Sequence, residues 1–330
     1  MGPRPRHLKD GAARPLTTPE PGVIAPAMIH ALPFPDISPD IFRLSLGRFE
    51  IAPKWYAMAY IVGIVGGWLM ARYAVSRHAF WPGGVPPMTR AQVEDVMTWI
   101  TLGIVLGGRL GYVLFYQPAY YLDHPLEALA IWRGGMSFHG GMIGTGLAVI
   151  VYALRHAIPV RSILDVAALA TPLGLGLGRV ANFVNAELWG RPSTAPWAVI
   201  FPGNDAQSCA NVVTAAGALC ARHPSQLYQA ALEGLLLLVV LWTVAFLGGL
   251  KIRGLICGLF LAGYGAVRIV VEYFRQADAQ YVTPENPWGH VIGWGEVGLT
   301  MGQALSLPML VVGVGAAWLA LRAARRAAPA

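Results

Sequence analysis

The chain has 330 residues, of which 55% are hydrophobic and 12% are charged, and its mean hydropathy is +0.52. This composition lies outside the usual range of soluble globular domains and predicts an integral membrane protein. The net charge of +7 is scattered over loops and forms no basic stripe with interleaved aromatics, which argues against a nucleic-acid-binding surface. Cys209, Cys220 and Cys257 lack the spacing of a metal or redox motif, and we expect neither a metal nor a cofactor.

The amino-terminal segment, residues 1–54, is rich in Pro, Arg and Ala and has no apolar run long enough for the core of a signal peptide. Pro33 and Pro35 interrupt the mildly apolar stretch 27–37. We therefore expect an arm outside the membrane, with the first span beginning at Trp55.

Seven stretches are apolar over about the 20 residues that a bilayer-spanning helix needs. They are residues 55–76, 93–117, 138–155, 161–180, 226–247, 253–274 and 302–322. Most Lys and Arg lie at one set of helix ends, which the positive-inside rule assigns to the cytoplasm.

The sequence thus predicts an all-α polytopic membrane protein with a seven-helix domain over residues 55–322. The amino terminus lies outside, and a short tail, residues 323–330, lies inside. The long connection between helices four and five, residues 181–225, becomes a small cap on the outer side.

The most polar intramembrane stretch begins at Arg179, which follows the glycine-spaced run Leu173–Gly178 without an aqueous loop. The small residues favour close helix packing in lipid. A guanidinium at hydrocarbon depth must be paired, hydrated or bound to an anion. Anion binding is the hypothesis that we favour for Arg179.

Helices five and six each carry polar side chains along one face. The two stripes are Gln226, Gln229 and Glu233 on helix five, and Tyr264, Arg268 and Glu272 on helix six. In the predicted topology, both stripes lie at the depth of the outer leaflet. This arrangement fits a water-penetrated cavity that faces a lipid headgroup.

Structural explanations compete with functional ones for several residues. Gly140 and Gly144 have the spacing of a close helix contact. His139, beside them, fits either a helix-end cap or a chemical role. Arg109 is flanked by glycines and fits a structural partner of a carboxylate such as Glu272.

Six short motifs lie in a fixed order along the chain. They are Trp55–Tyr56, His139–Met142, Gly178–Ser193, Arg222–Tyr228, Tyr264–Arg275 and Met301–Gln303. Their order and spacing resemble those of the prolipoprotein diacylglyceryl transferase family. The resemblance implies a bacterial inner-membrane enzyme whose cap is periplasmic.

This resemblance also implies the reaction and its site. The diacylglyceryl group of phosphatidylglycerol is transferred to the lipobox cysteine thiol of a prolipoprotein signal peptide, which makes a thioether and releases glycerol 1-phosphate. The residues that match positions linked to activity or substrate binding are Tyr56, His139, Arg179, Asn182, Glu187, Gly190, Tyr264, Arg268 and Glu272. The sequence departs from the family pattern at Leu175, where Gln is common, and at Ala181 and Ala186, where Gly is frequent.

The implied reaction explains why these residue types are present. A thiol with a pKa of about 8.5 is mostly protonated at neutral pH. His139 is the simplest candidate base, although nearby arginines could instead lower the pKa of the thiol. Arg179 and Arg268 can hold the phosphate through bidentate hydrogen bonds.

The remaining polar residues have a supporting role in this interpretation. Asn182, Glu187 and Tyr264 could bind the glycerol hydroxyls or orient the arginines. The periplasm is oxidising, so we also predict a disulfide between Cys209 and Cys220 in the cap.

A transporter or a binding protein for an anionic lipid is the alternative, because either would use intramembrane arginines. A transporter is expected to show internal repeats and broken helices near the membrane midplane. The sequence shows no internal repeat.

Overall fold

The computed structural model of the chain describes residues 31–47, 49–115, 117–209, 219–294 and 297–327. Within these ranges, it leaves out the side chains of Leu46, Arg133, Phe138, His139, Trp294 and Ala327. The long helices are α1 (Trp55–Ser76), α2 (Arg90–Phe115), α3 (Phe138–Arg155), α4 (Val160–Val184), α5 (Ser225–Phe246), α6 (Leu255–Val271) and α7 (Met301–Ala327).

Short elements connect the long helices. The strands are β1 (Leu32–Pro33), β2 (Leu44–Leu46), β3 (Phe49–Ile51), β4 (Val199–Ile200), β5 (Ala221–Arg222), β6 (His290–Trp294) and β7 (Val297–Thr300). Short α-helices cover Pro118–Asp123 and Asn204–Gln207, and 3₁₀ turns cover His78–Phe80, Pro82–Gly84, Pro125–Leu129, Ile131–Arg133, Gly249–Lys251 and Ala279–Tyr281. The strict all-α prediction is therefore wrong outside the long helices.

Five helices, α1, α2, α4, α5 and α7, are long and apolar enough to cross a membrane. The predicted spans 138–155 and 253–274 correspond to α3 and α6, whose described apolar parts are the shorter Gly140–Arg155 and Leu255–Val271. A mostly helical protein with several candidate membrane spans is confirmed, and the count of seven spans stays a prediction. Span six was predicted too long, because the chain turns before Leu255 and after Val271.

Helix α5 is not regular along its whole length. A π-helical segment, Ala230–Leu236, separates α-helical turns at Ser225–Gln229 and Leu237–Phe246. π-helical segments are rare and often lie at functional sites. This one carries Glu233, which is fully buried.

Glycines bring the backbones of α2 and α3 into direct contact. A Cβ atom built on Gly103 would lie 2.5 Å from the carbonyl oxygen of Gly144, and one on Gly111 would lie 2.8 Å from the Cα of Gly140. The predicted packing role of Gly140 and Gly144 is thus confirmed. Such contacts between small residues are a main source of helix association in lipid.

Side-chain hydrogen bonds fix where α6 and α7 begin. Thr300 and Gln303 cap α7 reciprocally: the Thr300 N–H donates to Gln303 Oε1 (3.1 Å) and the Gln303 N–H donates to Thr300 Oγ1 (3.3 Å). At α6, the buried carboxylate of Asp165 in α4 accepts from the N–H groups of Gly254 (2.6 Å) and Cys257 (2.8 Å). These caps satisfy N–H groups that have no partner within their own helix.

A small sheet ties the amino-terminal arm to the segment 181–225. Strand β1 pairs in parallel with β4, and β4 pairs antiparallel with β5. The predicted disulfide between Cys209 and Cys220 is confirmed, with 5.8 Å between the two Cα atoms. The disulfide thereby joins Cys209 to the residue directly before β5.

The glycine contact between α2 and α3 predicts opposite effects for two neighbouring substitutions. Gly144→Ala places a methyl group against the backbone of Gly103, and we expect it to lower the free energy of unfolding by about 1–3 kcal/mol. Gly146 has no atom within 4 Å of a built Cβ, so Gly146→Ala should stabilise the helix by about 0.5–1 kcal/mol. Thermal unfolding in one detergent compares the two, and equal stability of both variants would contradict the contact.

Candidate active site

A cluster of charged side chains lies where α4 ends, α5 begins and α6 ends. Its cations are Arg179, Arg268 and Arg275, and its anions are Glu233 and Glu272. The two glutamates are buried, with relative exposures of 0% and 3%. The carboxylates of this charge cluster therefore lie inside the protein.

Glu272 holds two of the arginines. Its carboxylate lies 3.0 Å from Arg268 Nη2 and 3.7 Å from Arg275 Nη1. Gly302, in the first turn of α7, makes room for it, because a Cβ atom built there would lie 2.6 Å from Glu272 Cδ. The hydrogen bonds between Thr300 and Gln303 that fix the start of α7 thus also fix the surface against which Glu272 packs.

Arg179 is paired more loosely. Its Nε lies 3.8 Å from Glu233 Oε2, which is longer than a hydrogen bond. Gly176 and Gly234 bring the two helices together at this level, since a Cβ atom on Gly176 would lie 3.1 Å from the Cα of Gly234. The side chain of Arg179 is 23% exposed, so the cluster is open on this side.

The buried part of the cluster is electropositive. Three guanidinium groups face two carboxylates, which leaves one positive charge before the exposed Asp278, 3.4 Å from Arg275, is counted. Arg268 Nη1 is buried and has no hydrogen-bond acceptor among the described residues. A buried donor without an acceptor is costly, and an anion with several oxygens, such as a phosphate, would supply acceptors.

Two tyrosines border the cluster. Tyr264 of α6 lies within electrostatic range of Glu233 and Arg179. Tyr56, in the first turn of α1, lies within range of Glu187 and Arg179. Helices α1, α4 and α6 thus bring polar groups to one place.

Asn182 and Glu187 form a pair at the end of α4. Asn182 Nδ2 donates to Glu187 Oε1 at 2.8 Å, and Asn185 Nδ2 lies 3.4 Å from the same oxygen. Between them, Ala186 has a φ of 54°, in the left-handed region that glycine adopts more readily. The departure from glycine at Ala186 therefore carries local backbone strain.

Gly190 lies where three backbone segments meet. Its N–H donates to the carbonyl of His223 (2.9 Å), and the N–H of Arg191 donates to the carbonyl of Phe274 (2.9 Å). A Cβ atom on Gly190 would lie 2.6 Å from the carbonyl oxygen of His223. Packing alone explains glycine at this position, and a role in substrate binding stays a prediction.

Most of the predicted site residues converge on the charge cluster. Those in or beside it are Tyr56, Arg179, Asn182, Glu187, Tyr264, Arg268 and Glu272. The side chain of His139 lies outside the described part of the structure. Its backbone is in the first turn of α3, directly before the glycine contact with α2.

The expectation that Arg109 neutralises a carboxylate such as Glu272 is wrong. Its guanidinium donates instead to backbone carbonyls of the α2–α3 connection, those of Glu127 (2.7 Å), Ala128 (2.8 Å) and Gly134 (2.6 Å). Arg109 therefore fixes a loop. Carbonyl groups occur at every residue, so no sequence pattern identifies such partners.

Two members of the charge cluster were not among the predicted site residues. Arg275 follows Glu272 by three residues, so helical spacing could have identified it as a partner. Glu233 was recognised only as part of a polar stripe. Its partner Arg179 belongs to another helix, and the Gly176–Gly234 contact that joins them is a tertiary feature.

Arg222 opens one of the six sequence motifs, but its structural role was not predicted. Arg222 is buried and donates to the carbonyls of Ala206 (2.6 Å) and Ser208 (2.8 Å), and its guanidinium lies 4.0 Å from the ring centre of Trp189. Burial lowers the pKa of Arg222 to about 10, so it stays charged at neutral pH. Among the described residues, no group of His, Cys, Asp and Glu side chains could hold a metal ion.

Long apolar helices around a buried, electropositive cluster define a helical membrane protein with a site suited to an anionic group. The family model described as prolipoprotein diacylglyceryl transferase matches residues 41–319. The chain belongs to this family.

Curated relatives agree with this assignment. A protein of Ruegeria pomeroyi is 59% identical over 304 residues, which cover 92% of this chain and 100% of the relative. Proteins of Roseobacter denitrificans (53% identity, 90% of this chain and 99% of the relative) and Sinorhizobium medicae (49%, 91% and 96%) are also similar. All three are named phosphatidylglycerol–prolipoprotein diacylglyceryl transferase.

Proposed function

We propose that this chain transfers the diacylglyceryl group of phosphatidylglycerol to the lipobox cysteine of a prolipoprotein, the first step of lipoprotein maturation. The names of its relatives state both substrates. The observation that carries the proposal is the buried Arg268, whose Nη1 has no acceptor in the described part of the chain, in one cluster with the loosely paired Arg179. The phosphate of an anionic lipid would provide an acceptor for Arg268 Nη1 and a second charged partner for Arg179.

The arginines act on the leaving group. The thiol sulfur bonds to the terminal glycerol carbon of the diacylglyceryl group, the bond from this carbon to the phosphate oxygen breaks, and glycerol 1-phosphate leaves with the electron pair. Arg179 and Arg268 stabilise the negative charge that develops on that oxygen. Partial exclusion of water at the end of the bundle strengthens this interaction relative to bulk water.

The thiol proton needs an acceptor, and His139 takes this role in our proposal. The ordinary pKa of imidazole is near neutrality, whereas that of a thiol is about 8.5. The guanidinium groups of the cluster provide a second route, because positive charge nearby lowers the pKa of a thiol. The two routes differ in how activity depends on pH when His139 is replaced.

The other predicted residues bind or orient the substrates in this scheme. Glu272 sets the position of Arg268, and Gly190 lets the cap segment approach the end of α6. The groups that we assign to substrate binding are Tyr56, Asn182, Glu187, Gly190, Tyr264 and Glu272.

All seven helices span the bacterial inner membrane in our proposal. The arm 1–54 and the cap 181–225 lie in the periplasm and the tail 323–330 lies in the cytoplasm, which the positive-inside rule supports. The Cys209–Cys220 disulfide suits an oxidising compartment. With 17 residues, α6 is about 26 Å long, and tolerance of small length mismatch would allow it to span the bilayer.

An assay with two defined substrates tests the proposed activity. The purified protein is incubated with phosphatidylglycerol vesicles and a lipobox peptide, and the mass of the peptide is measured. We expect a gain equal to one diacylglyceryl group. The alternative of a lipid transporter has no support from the three relatives, and it predicts movement of the lipid without a change in peptide mass.

Replacing either arginine by lysine separates charge from geometry. Lysine keeps the charge but lacks the planar fork of donors, so we expect Arg179→Lys and Arg268→Lys each to lower turnover by about 10²-fold or more. The double alanine variant should be little worse than either single alanine variant, because both side chains serve one leaving group. Normal turnover in both lysine variants would contradict a bidentate phosphate site.

Replacement of His139 tests the base. We expect His139→Gln to lower turnover at neutral pH by about 10²-fold. Activity should recover partly as the pH approaches the thiol pKa of about 8.5, because the thiolate then forms without a base. Initial rates between pH 6.5 and 9 measure this effect. Unchanged turnover at neutral pH would assign His139 to a structural role.

The contact between Gly302 and Glu272 can be tested with two substitutions on α7. Gly302→Ala adds a methyl group against the Glu272 carboxylate and displaces its arginine partners, so we expect turnover to fall by about 10²-fold. Gly315 has no atom within 4 Å of a built Cβ, and Gly315→Ala is the matched control with normal turnover. Equal turnover in both variants would show that the position of Glu272 does not matter.

A further inference from the structure

The polar stripe on α5 consists of Gln226, Gln229 and Glu233, which follow one another at intervals of three and four residues. All three side chains are buried, with relative exposures of 1%, 2% and 0%. Buried polar side chains on a membrane helix need partners. The stripe is a large group of polar atoms to which the proposed reaction gives no role.

The unpartnered atoms of the stripe are all acceptors. Gln226 Oε1, Gln229 Oε1 and both carboxylate oxygens of Glu233 are buried without a hydrogen bond to any described residue. The amide of Gln226 is fixed in its orientation, because its Nε2 donates to the backbone carbonyl of Glu187 at 2.5 Å. Four oxygens on one helix face thus receive no hydrogen bond from the residues that the structure describes.

These acceptors border the proposed phosphate site. Glu233 lies 3.8 Å from Arg179 and within electrostatic range of Arg268 and Arg275. At the other end, Gln226 is anchored next to the pair formed by Glu187 and Asn182. Gln229 lies between the two, so the stripe connects the arginines with that pair.

The unpartnered donor of Arg268 and the unpartnered acceptors of the stripe would bind different parts of one ligand. A phosphate diester only accepts hydrogen bonds, so it fits the free N–H of Arg268 and is repelled by the oxygens of the stripe. Those oxygens need a group that donates. The glycerol headgroup is attached to the phosphate. Its free hydroxyls can donate hydrogen bonds and lie only a few covalent bonds away from the phosphate.

The geometry points to Gln229 and Glu233 as a subsite that accepts hydrogen bonds from the headgroup hydroxyls of the lipid, and that thereby selects a polyol headgroup. This inference rests on the proposed function, since it assumes that the lipid phosphate binds at the arginines. A site built to bond a hydroxyl discriminates strongly against an analogue without it, because its buried acceptors are then left unpaired.

Two lipids that differ only in these hydroxyls test the subsite. The substrates are phosphatidylglycerol and phosphatidylpropanol, with identical acyl chains and the same lipobox peptide. Because both lipids carry the same phosphate, the ratio of their kcat/KM values cancels effects on the arginines and on folding. We expect kcat/KM of the wild-type protein to be about 10- to 100-fold higher with phosphatidylglycerol. This is the effect expected when hydrogen bonds to one charged and one neutral acceptor are lost.

Variants of the stripe should reduce this ratio. Gln229→Met keeps the length of the side chain and removes its acceptor, and Glu233→Gln keeps the volume and removes the charge. We expect each to lower the ratio by about 10-fold, mainly through loss of activity with phosphatidylglycerol. Gln280→Met, the same substitution at an exposed glutamine outside the cluster, is the control and should leave the ratio unchanged.

The outcomes separate the subsite from the proposed function. A wild-type ratio near one, or ratios that both stripe variants leave unchanged, would overturn the subsite while transfer from phosphatidylglycerol continues. Absence of transfer from phosphatidylglycerol in the wild-type protein would instead overturn the proposed function. Thermal unfolding of each variant in detergent confirms that the compared proteins are folded.

Discussion

The charge cluster depends on ion pairs that offset the cost of burying guanidinium groups at the end of an apolar helix bundle. Removing an ion from water costs several kcal/mol even after the surroundings relax. Glu272 offsets part of this cost for Arg268 and Arg275, at 3.0 and 3.7 Å. Arg179 and Glu233 lie 3.8 Å apart and offset less. Among the described residues, Arg268 Nη1 keeps no acceptor, and this is where the proposed function places the lipid phosphate.

Close backbone contacts make this arrangement possible. Gly176 and Gly234 bring α4 against α5 beside Arg179, and Gly302 lets Glu272 lie against α7. A methyl group on Gly176 or Gly234 would press against the backbone of the facing helix, and one on Gly302 would press against the Glu272 carboxylate. The close glycine contacts therefore determine where the charged side chains of this site lie.

The chain directly after α4 is joined to the same site through backbone pairing. Gly190 and its neighbour Arg191 bond to the carbonyls of His223 and Phe274, which lie directly before α5 and at the end of α6. Arg222 donates to the carbonyls of Ala206 and Ser208 and so joins β5 to the chain that follows β4. A change in the cap would consequently reach the helices that carry the arginines.

Part of the charge cluster followed from sequence because its members lie in local patterns, whereas Tyr56, Asn182 and Glu187 were assigned through the family resemblance. The spacing of Arg268 and Glu272 places them on one helix face, and the small residues at Gly140 and Gly144 identify a helix contact. What the sequence could not provide depends on distant segments. The π-helical segment that carries Glu233 and the backbone partners of Arg109 arise from tertiary packing, and neither has a periodic signature.

The most direct test of the account asks whether Arg268 serves a bound phosphate or only its ion pair with Glu272. The measurement is diacylglyceryl transfer to a lipobox peptide by Arg268→Leu and by the double variant Arg268→Leu with Glu272→Leu, each checked for folding by thermal unfolding. The account predicts that both proteins are inactive, because removing Glu272 does not restore a donor for the phosphate. Recovery of transfer in the double variant would contradict it, since activity would then need only a neutral pair at this position.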